Sequence, residues 1–255
     1  MPRYRIYIEY LGEKYVGWQK QNKGNTIQEE LEKGIEQVLQ HPVSVQGQGR
    51  TDSGVHALKQ VAHFDSEKEL DSQKFIKAML GVLPRDVGVW HLGRVSDDFH
   101  ARFDATARCY CYRYVLRPSP TREHTAQMYL GEPDLESMQR CAAMITGKHD
   151  FSNFGRTDPK DPVDTVCSVE QSYWQRHGDL LTYWIKADRF IRHMVRRLVG
   201  TMTHVGEGKL SPSEFRQLLE NKEAAEIHSN TGQNKYFRAH TARARGLMLY
   251  DVFYG

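Results

Sequence analysis

Three stretches of this sequence carry residue types that could do chemistry. The first is Gly47-Gln-Gly49-Arg50-Thr51-Asp52-Ser53-Gly54-Val55-His56-Ala57. A dinucleotide fingerprint would need a third glycine where Asp52 stands and a helix directly after it. A phosphate-binding Walker loop would need Gly-Lys-Ser/Thr, which is missing. What is left is a glycine-flanked turn that lifts Arg50 and Asp52 off a sheet edge, or an ordinary Asp-Ser-Gly turn in which the aspartate bonds its own backbone. The second stretch is the alternating strand Arg108-Cys-Tyr110-Cys-Tyr112-Arg-Tyr114. Alternation sets the three tyrosines on one face and Cys109, Cys111 and Arg113 on the other. Such a face either stacks nucleic-acid bases or packs a sheet. The third runs from Asp188 to Gly200. Read as a helix, it has an apolar stripe of Phe190, Ile191, Met194, Val195, Leu198 and Val199. Its opposite arc is cationic, with Arg189, Arg192, His193, Arg196 and Arg197. With no acid after Asp188, that arc must find its anion elsewhere, in a phosphate or in a carboxylate of the fold.

The elements that position these stretches follow from periodicity. Residues 3–10 alternate as a strand. Residues 26–40 read as a helix, with a capping box of Thr26 and Glu29 and an apolar face of Ile27, Leu31, Ile35, Val38 and Leu39. Val43–Gln46 and Leu58–Asp65 read as strands. Asp71 or Ser72 caps a helix that buries Phe75, Ile76 and Met79, and Val87–Val95 closes the pattern. The order is β-α-β-β-α-β, the ferredoxin-like split motif.

The second half repeats that order with longer parts. It has a strand over Arg108–Arg117 and a helix from Asp134 to Thr146, buried through Leu135, Met138, Ala142 and Ile145 and stopped by Gly147. Strands near 163–175 and 180–187 flank the turn His177-Gly178-Asp179. A helix capped by Asp188 runs to about Met202. Ser211-Pro-Ser-Glu214 is a second capping box, and Gly246–Phe253 is a final strand. Residues 148–162 and 222–240 read as loops. The expected fold is therefore α+β. Two ferredoxin-like halves, residues 1–104 and 105–255, share a mixed, mainly antiparallel sheet with helices on one face and a basic cleft. No low-complexity linker divides them, so one rigid unit is expected.

Composition narrows the function. The chain has 255 residues, 39 % hydrophobic and 26 % charged, which suits a soluble globular protein. There is no signal-peptide pattern at the start and no apolar run of the roughly 18 residues that cross a bilayer, so a cytoplasmic protein with no membrane partner is expected. Four cysteines make a poor disulfide framework, and neither they nor the twelve histidines show metal-ligand spacing; no metal is expected. The net charge of +3 conceals three basic segments, 99–122, 186–197 and 235–245, each summing to +4. Concentrated cation on a nearly neutral protein suits a polyanion, though three separately solvated surfaces would give the same count.

Taken in order, these segments resemble the TruA family of tRNA pseudouridine synthases. Gly49–Ala57 resembles that family's catalytic loop, and Gly17-Trp18-Gln19 its early Gly-Trp-Gln element. Asp97–Phe103 with Ala105–Arg108 and Tyr110 resembles the central block, His193–Arg196 with Leu198–Gly200 the late helix, and Thr241–Leu247 the closing motif. The resemblance implies isomerisation of uridine to pseudouridine without cofactor or metal, on the 3′ side of the tRNA anticodon stem and loop (family positions 38–40), by a homodimer. It implies that Asp52 is nucleophile, base or both, that Tyr110 stacks on the target uracil, that Arg196 pairs with Asp52 and that Arg50 displaces the base. Arg189, Arg192 and Arg197 would then bind the RNA. The sequence departs from the family pattern in three places, one being that the segment before the closing motif is long and basic. Leu80-Gly-Val-Leu-Pro84 lacks the usual asparagine, and Ala242-Arg243-Ala244 stands for Ala-Pro-Ala. Alternatives are the same reaction on another RNA, an RNA-binding relative without catalysis, or a small-molecule enzyme of ferredoxin-like fold.

Overall fold

The computed structural model describes residues 1–157, 163–220, 227–228, 234–235 and 239–255. In chain order the elements are β1 (Arg3–Tyr10), α1 (Ile27–Leu39), β2 (Gln46–Gly47), β3 (His56–Asp65), α2 (Ser72–Val82), β4 (Val87–Val95), β5 (Ala105–Val115), β6 (Gln127–Met128), α3 (Leu135–Ile145), β7 (Gly147–Asp150), β8 (Val166–His177), β9 (Leu180–Ala187), α4 (Met194–Gly206), α5 (Pro212–Glu220), β10 (Ile227–His228), β11 (Asn234–Lys235) and β12 (Leu247–Tyr254). The class is α+β, and the strand pairs are mostly antiparallel. The chain divides into two compact units, Met1–Ala107 with Met248–Gly255, and Arg108–Leu247.

In the first unit the strand order is β4-β1-β3-β12, with β2 beside β3. β1 is antiparallel to both neighbours, whereas β12 joins β3 in parallel through Met248–His56 and Leu249–Ala57. The alternation of β1 buries Tyr4, Ile6, Ile8 and Tyr10. Buried in the same unit are Ile27, Leu31 and Ile35 of α1 and Phe75 and Met79 of α2, each worth roughly 1.5–3 kcal/mol of burial. Thr26 Oγ1 accepts from Glu29 N at 3.3 Å, and Asp71 Oδ1 accepts from Lys74 N at 2.8 Å, so both helices start at the expected caps. Ile76 is only half-buried.

The strand expected over Val43–Gln46 is confined to Gln46–Gly47. The reason lies in α1. Its Glu32 Oε1 accepts from Val45 N at 3.2 Å and its Gln28 Nε2 donates to Val45 O at 3.0 Å. Side chains thus take the backbone groups that a ladder would have used. His63, on β3, is buried. Its Nδ1 accepts from Ala101 N at 3.2 Å, and burial with nearby Arg3 pushes its pKa down to about 4, so the ring is neutral.

The second unit orders its strands β5-β9-β8-β7, all antiparallel, with β6 parallel to β5. Gly178, at φ +58°, turns β8 into β9 as expected. Asp134 caps α3 by accepting from Ser137 N at 3.0 Å. The Ser211–Glu214 box caps α5 in both directions: Ser211 N donates to Glu214 Oε2 at 2.7 Å, and Glu214 N to Ser211 Oγ at 3.2 Å.

Three expectations need correction here. The strand placed at Arg108–Arg117 lies at Ala105–Val115. Residues 148–150, expected as loop, form β7 with Gly147. Phe151 and Phe154, from the same stretch, are fully buried. The helix placed from Asp188 begins only at Met194. Of the two readings left open for the tyrosine face, packing holds for Tyr112 and Tyr114, which are core residues, while Tyr110 is half-buried. Pro159, Pro162 and most of 222–240, including Arg238, fall outside the described residues. Burial raises the thiol pKa of Cys111 to about 11 and of Cys141 and Cys167 to about 12, which leaves them unreactive at neutral pH. Among the described residues no helix is long and apolar enough to cross a membrane.

Candidate active site

The loop between β2 and β3 is fixed along its whole length. Gln48 N donates to Val61 O at 2.8 Å, and Gln60 Nε2 donates to Gly49 O at 3.1 Å. Thr51 is buried; its hydroxyl meets that of Tyr10 at 2.9 Å and its carbonyl accepts from Trp18 N at 3.2 Å. Asp52 opens a tight turn in which Val55 N donates to Asp52 O at 3.1 Å. Gly54 holds φ +77° at the third position, the sign a type II turn requires. Tyr15 O receives Ser53 Oγ at 3.1 Å and Gly54 N at 3.4 Å. The side chain of Asp52 is half-exposed and that of Arg50 exposed. The expected turn that presents these two residues is therefore present, with its backbone committed to its neighbours.

The Gly17-Trp18-Gln19 element is the clamp on this loop. Gly17 sits at φ +113°, and a Cβ there would lie 2.7 Å from Thr51 O; a Cβ on Gly47 would lie 2.5 Å from the Trp18 ring. Trp18 is buried between loop and helix, its carbonyl accepting from Gln28 N at 3.0 Å. Gln19 Oε1 accepts from Arg50 Nε at 3.2 Å. Sequence reading singled out the element only by resemblance. Its physical role, a second layer bonded to the loop by backbone and side chain, becomes visible once the fold is known. His56 is also accounted for: it is fully buried and its Nδ1 accepts from Gly12 N at 3.0 Å.

The remaining candidates belong to the second unit. Tyr110 pairs across the ladder with Ile185, and its ring meets Phe190 edge-on at 5.0 Å. Phe190, assigned above to a helical apolar stripe, is instead a half-buried neighbour of Tyr110 on an irregular segment before the helix. Asp188 explains that segment. Its Oδ1 accepts from Ser168 N at 2.9 Å and Arg189 N at 2.7 Å, while its carbonyl takes Arg108 Nη1 at 2.8 Å. The would-be helix cap is spent on β8, so Arg189 and Arg192 precede the helix and do not share its face. Arg189 lies 3.5 Å from Asp164, and Arg192 is exposed.

On α4 itself, Arg196 Nε donates to Ala242 O at 2.8 Å and Ala242 N returns to Arg196 O at 3.0 Å. Arg197 turns inward. Its Nη1 donates to Gly155 O, its Nε is buried, and burial together with Arg156 lowers its pKa. The closing motif rests on the same helix, because a Cβ on Gly200 would stand 2.3 Å from His240 O. It also rests on the tyrosine strand, where Tyr112 OH donates to Arg243 O at 3.0 Å and the ring lies against Gly246. Arg243 keeps φ −63°, a value proline would also adopt.

Arg50 and Asp52 thus share one rigid loop of the first unit. Tyr110, Arg189, Arg192, Arg196 and Arg197 lie in the second, where Tyr110 meets the start of the basic segment through Phe190. The first set offers a carboxylate and a guanidinium on a turn; the second offers an aromatic face and cations beside a helix N-terminus. Those are the parts needed to hold a flipped base and a phosphate backbone.

Comparison with known proteins gives the same direction. A family model described as tRNA pseudouridine synthase matches residues 6–104 and 141–255, a span that includes every candidate except Tyr110. The chain is 38 % identical over 255 residues to tRNA pseudouridine synthase A of Chlorobium luteolum, covering 100 % of this chain and 96 % of that protein. It is 39 % identical over 241 residues to the Bacteroides thetaiotaomicron protein of that name (93 % and 89 % covered) and 37 % over 224 residues to that of Parabacteroides distasonis (88 % of each). With matches of this extent, the chain belongs to the tRNA pseudouridine synthase family.

Proposed function

We propose that this protein isomerises uridine to pseudouridine in the anticodon arm of tRNA, at family positions 38–40, with Asp52 as its catalytic carboxylate. The observation that carries the reading is the loop Gly47–Val55, whose backbone is bonded to β3, Tyr15 and Trp18 and whose Thr51 hydroxyl meets that of Tyr10, so that Asp52 is presented from a fixed turn. In the reaction the N1–C1′ bond of uridine breaks, the base turns, a C5–C1′ bond forms, the C5 hydrogen leaves as a proton and N1 gains one. Neither oxidation nor hydrolysis occurs, so acid-base or nucleophilic chemistry at one carboxylate meets the need.

The other residues take roles around that step. Arg50 fills or levers the stack as the base leaves, a displacement that costs a few kcal/mol. Tyr110 stacks on the extruded uracil. Arg196 supplies the positive charge paired with Asp52, its guanidinium oriented by Ala242 O. Arg189 and Arg192 bind phosphates, whereas Arg197, taken by Gly155 O, supports the segment that carries them. The reading includes two ferredoxin-like halves with a basic cleft, and a homodimer as the working form. Support for tRNA as substrate comes from the relatives' names.

The test is tritium release from tRNA carrying 5-tritiated uridine. The wild type should release tritium and Asp52→Asn should be slower by about a thousandfold or more. Release from ribosomal RNA fragments but not from tRNA would replace the substrate. Binding of tRNA with no release from any RNA would reduce the protein to an RNA-binding relative.

A further inference from the structure

Arg50 stands at the end of a one-way chain of hydrogen bonds that starts from a carboxylate. Glu32, on α1, can only accept. Its Oε1 takes Gln28 Nε2 at 3.1 Å and Val45 N at 3.2 Å, and its Oε2 takes Lys20 Nζ at 3.0 Å. The buried amide of Gln28 is thereby fixed, with its nitrogen toward Glu32 and toward Val45 O at 3.0 Å. Its oxygen faces the other way and accepts from Lys20 N at 3.0 Å and Gln19 Nε2 at 2.7 Å. Both donors and both acceptor positions of Gln28 are therefore used. With the nitrogen of Gln19 committed to Gln28, its oxygen is the atom left to meet Arg50 Nε at 3.2 Å.

Reversing either amide would set donor against donor, at Gln28 or at Arg50. The direction of the whole chain is dictated by the carboxylate that begins it. An exposed arginine otherwise samples many rotamers, and fixing one carries an entropic cost. An acceptor on Nε orients the guanidinium plane without using its Nη edge.

We propose that Gln19 is a positioning residue for Arg50, and that Gln28 and Glu32 set its direction, so that the Gly-Trp-Gln element acts on the reaction through the arginine. This inference rests on the reading of Arg50 as the residue that displaces the base. Gln19→Met keeps the side-chain length and removes the amide. It should lower kcat about fivefold, the size of one modest hydrogen bond, with KM for tRNA within about twofold and an unchanged melting temperature. Glu32→Gln removes the fixed direction while keeping an acceptor, and should give a smaller loss in kcat.

The deciding measurement is a double-mutant cycle. In an Arg50→Ala background, itself expected to cost about a hundredfold, Gln19→Met should add less than about twofold. The same fivefold loss in both backgrounds, or a loss confined to KM, would overturn the positioning role and leave Arg50's role intact. Wild-type turnover by Arg50→Ala would overturn the reading of Arg50, and the chain's purpose with it. Should Gln19→Met melt early, the cycle is run with Glu32→Gln, and additivity there overturns the inference equally.

Discussion

The loop Gly47–Val55 and the segment Asp188–Arg197 carry most of the candidate residues, and they differ in which of their side chains the fold uses up. The loop is fixed mainly through its backbone, by bonds to Val61, Tyr15 and Trp18 and by glycines at positions that reject a side chain. The basic segment has backbone bonds as well, Asp188 N to Ser168 O at 3.1 Å and Arg156 N to Arg192 O at 2.9 Å, but adds charged side-chain anchors: Asp188 on Ser168 N, Arg108 on Asp188 O, Arg196 on Ala242 O and Arg197 on Gly155 O. Backbone anchoring leaves side chains to be chosen for chemistry and shows in the sequence as glycines. Anchoring by side chains uses up residues that would otherwise be read as functional. That is why Arg197 looks like an RNA contact in the sequence yet donates to a carbonyl within its own fold.

Three substitutions would break or sharpen this contrast. The largest effect belongs to Gly17→Ala, which forces a side chain into a φ of +113° and to within 2.7 Å of Thr51 O. Thermal or urea unfolding should show a loss of about 3 kcal/mol, and tritium release should fall with it. A change below about 1 kcal/mol would mean that the loop is not clamped as described.

Gly200→Ala comes next. A Cβ there would stand 2.3 Å from His240 O and 2.9 Å from Ala242 N, so the chain at His240–Ala242 must move, and the roughly 1 kcal/mol of helix propensity gained by alanine offsets only part of that cost. Unfolding should show a loss of about 2 kcal/mol, and the shift of Ala242 O away from Arg196 should lower kcat about tenfold. Unchanged turnover would remove Ala242 from the positioning of Arg196. The smallest effect is that of Arg243→Pro. The native φ of −63° already suits proline, so the unfolded chain should lose freedom and stability should rise by about 0.5 kcal/mol, read as a small increase in melting temperature. A lower melting temperature would show that the Arg243 N–H is used in the fold.

Local rules made much of this legible. β1 and β4 fall where alternation places them, and α1, α2, α3 and α5 start at Thr26, Asp71, Asp134 and Ser211 because each supplies an oxygen to an otherwise orphaned N–H. Where the reading failed, a distant partner had claimed the same atoms. Ser168 N took Asp188's carboxylate, so α4 starts at Met194. Gln28 and Glu32 took Val45's backbone, so the expected strand contracted. Tyr112 and Tyr114 alternate with Cys109 and Cys111 as the period requires, but burial, which decides whether a tyrosine packs or stacks, depends on Thr203, Trp174 and Gly246.

The sequence by itself determined the candidate loop's composition, the helix caps and the family, because these depend on residues within a few positions of one another or on motifs in fixed order. Only the tertiary structure decided three other matters: that Gly17-Trp18-Gln19 closes on Thr51 and Arg50, that β12 returns to lie parallel to β3, and which arginines are spent inside the fold. The physical reason is that a hydrogen-bonding atom can be used only once or twice. Which of several reachable partners takes it is settled by packing across tens to hundreds of residues, and local sequence does not encode that competition.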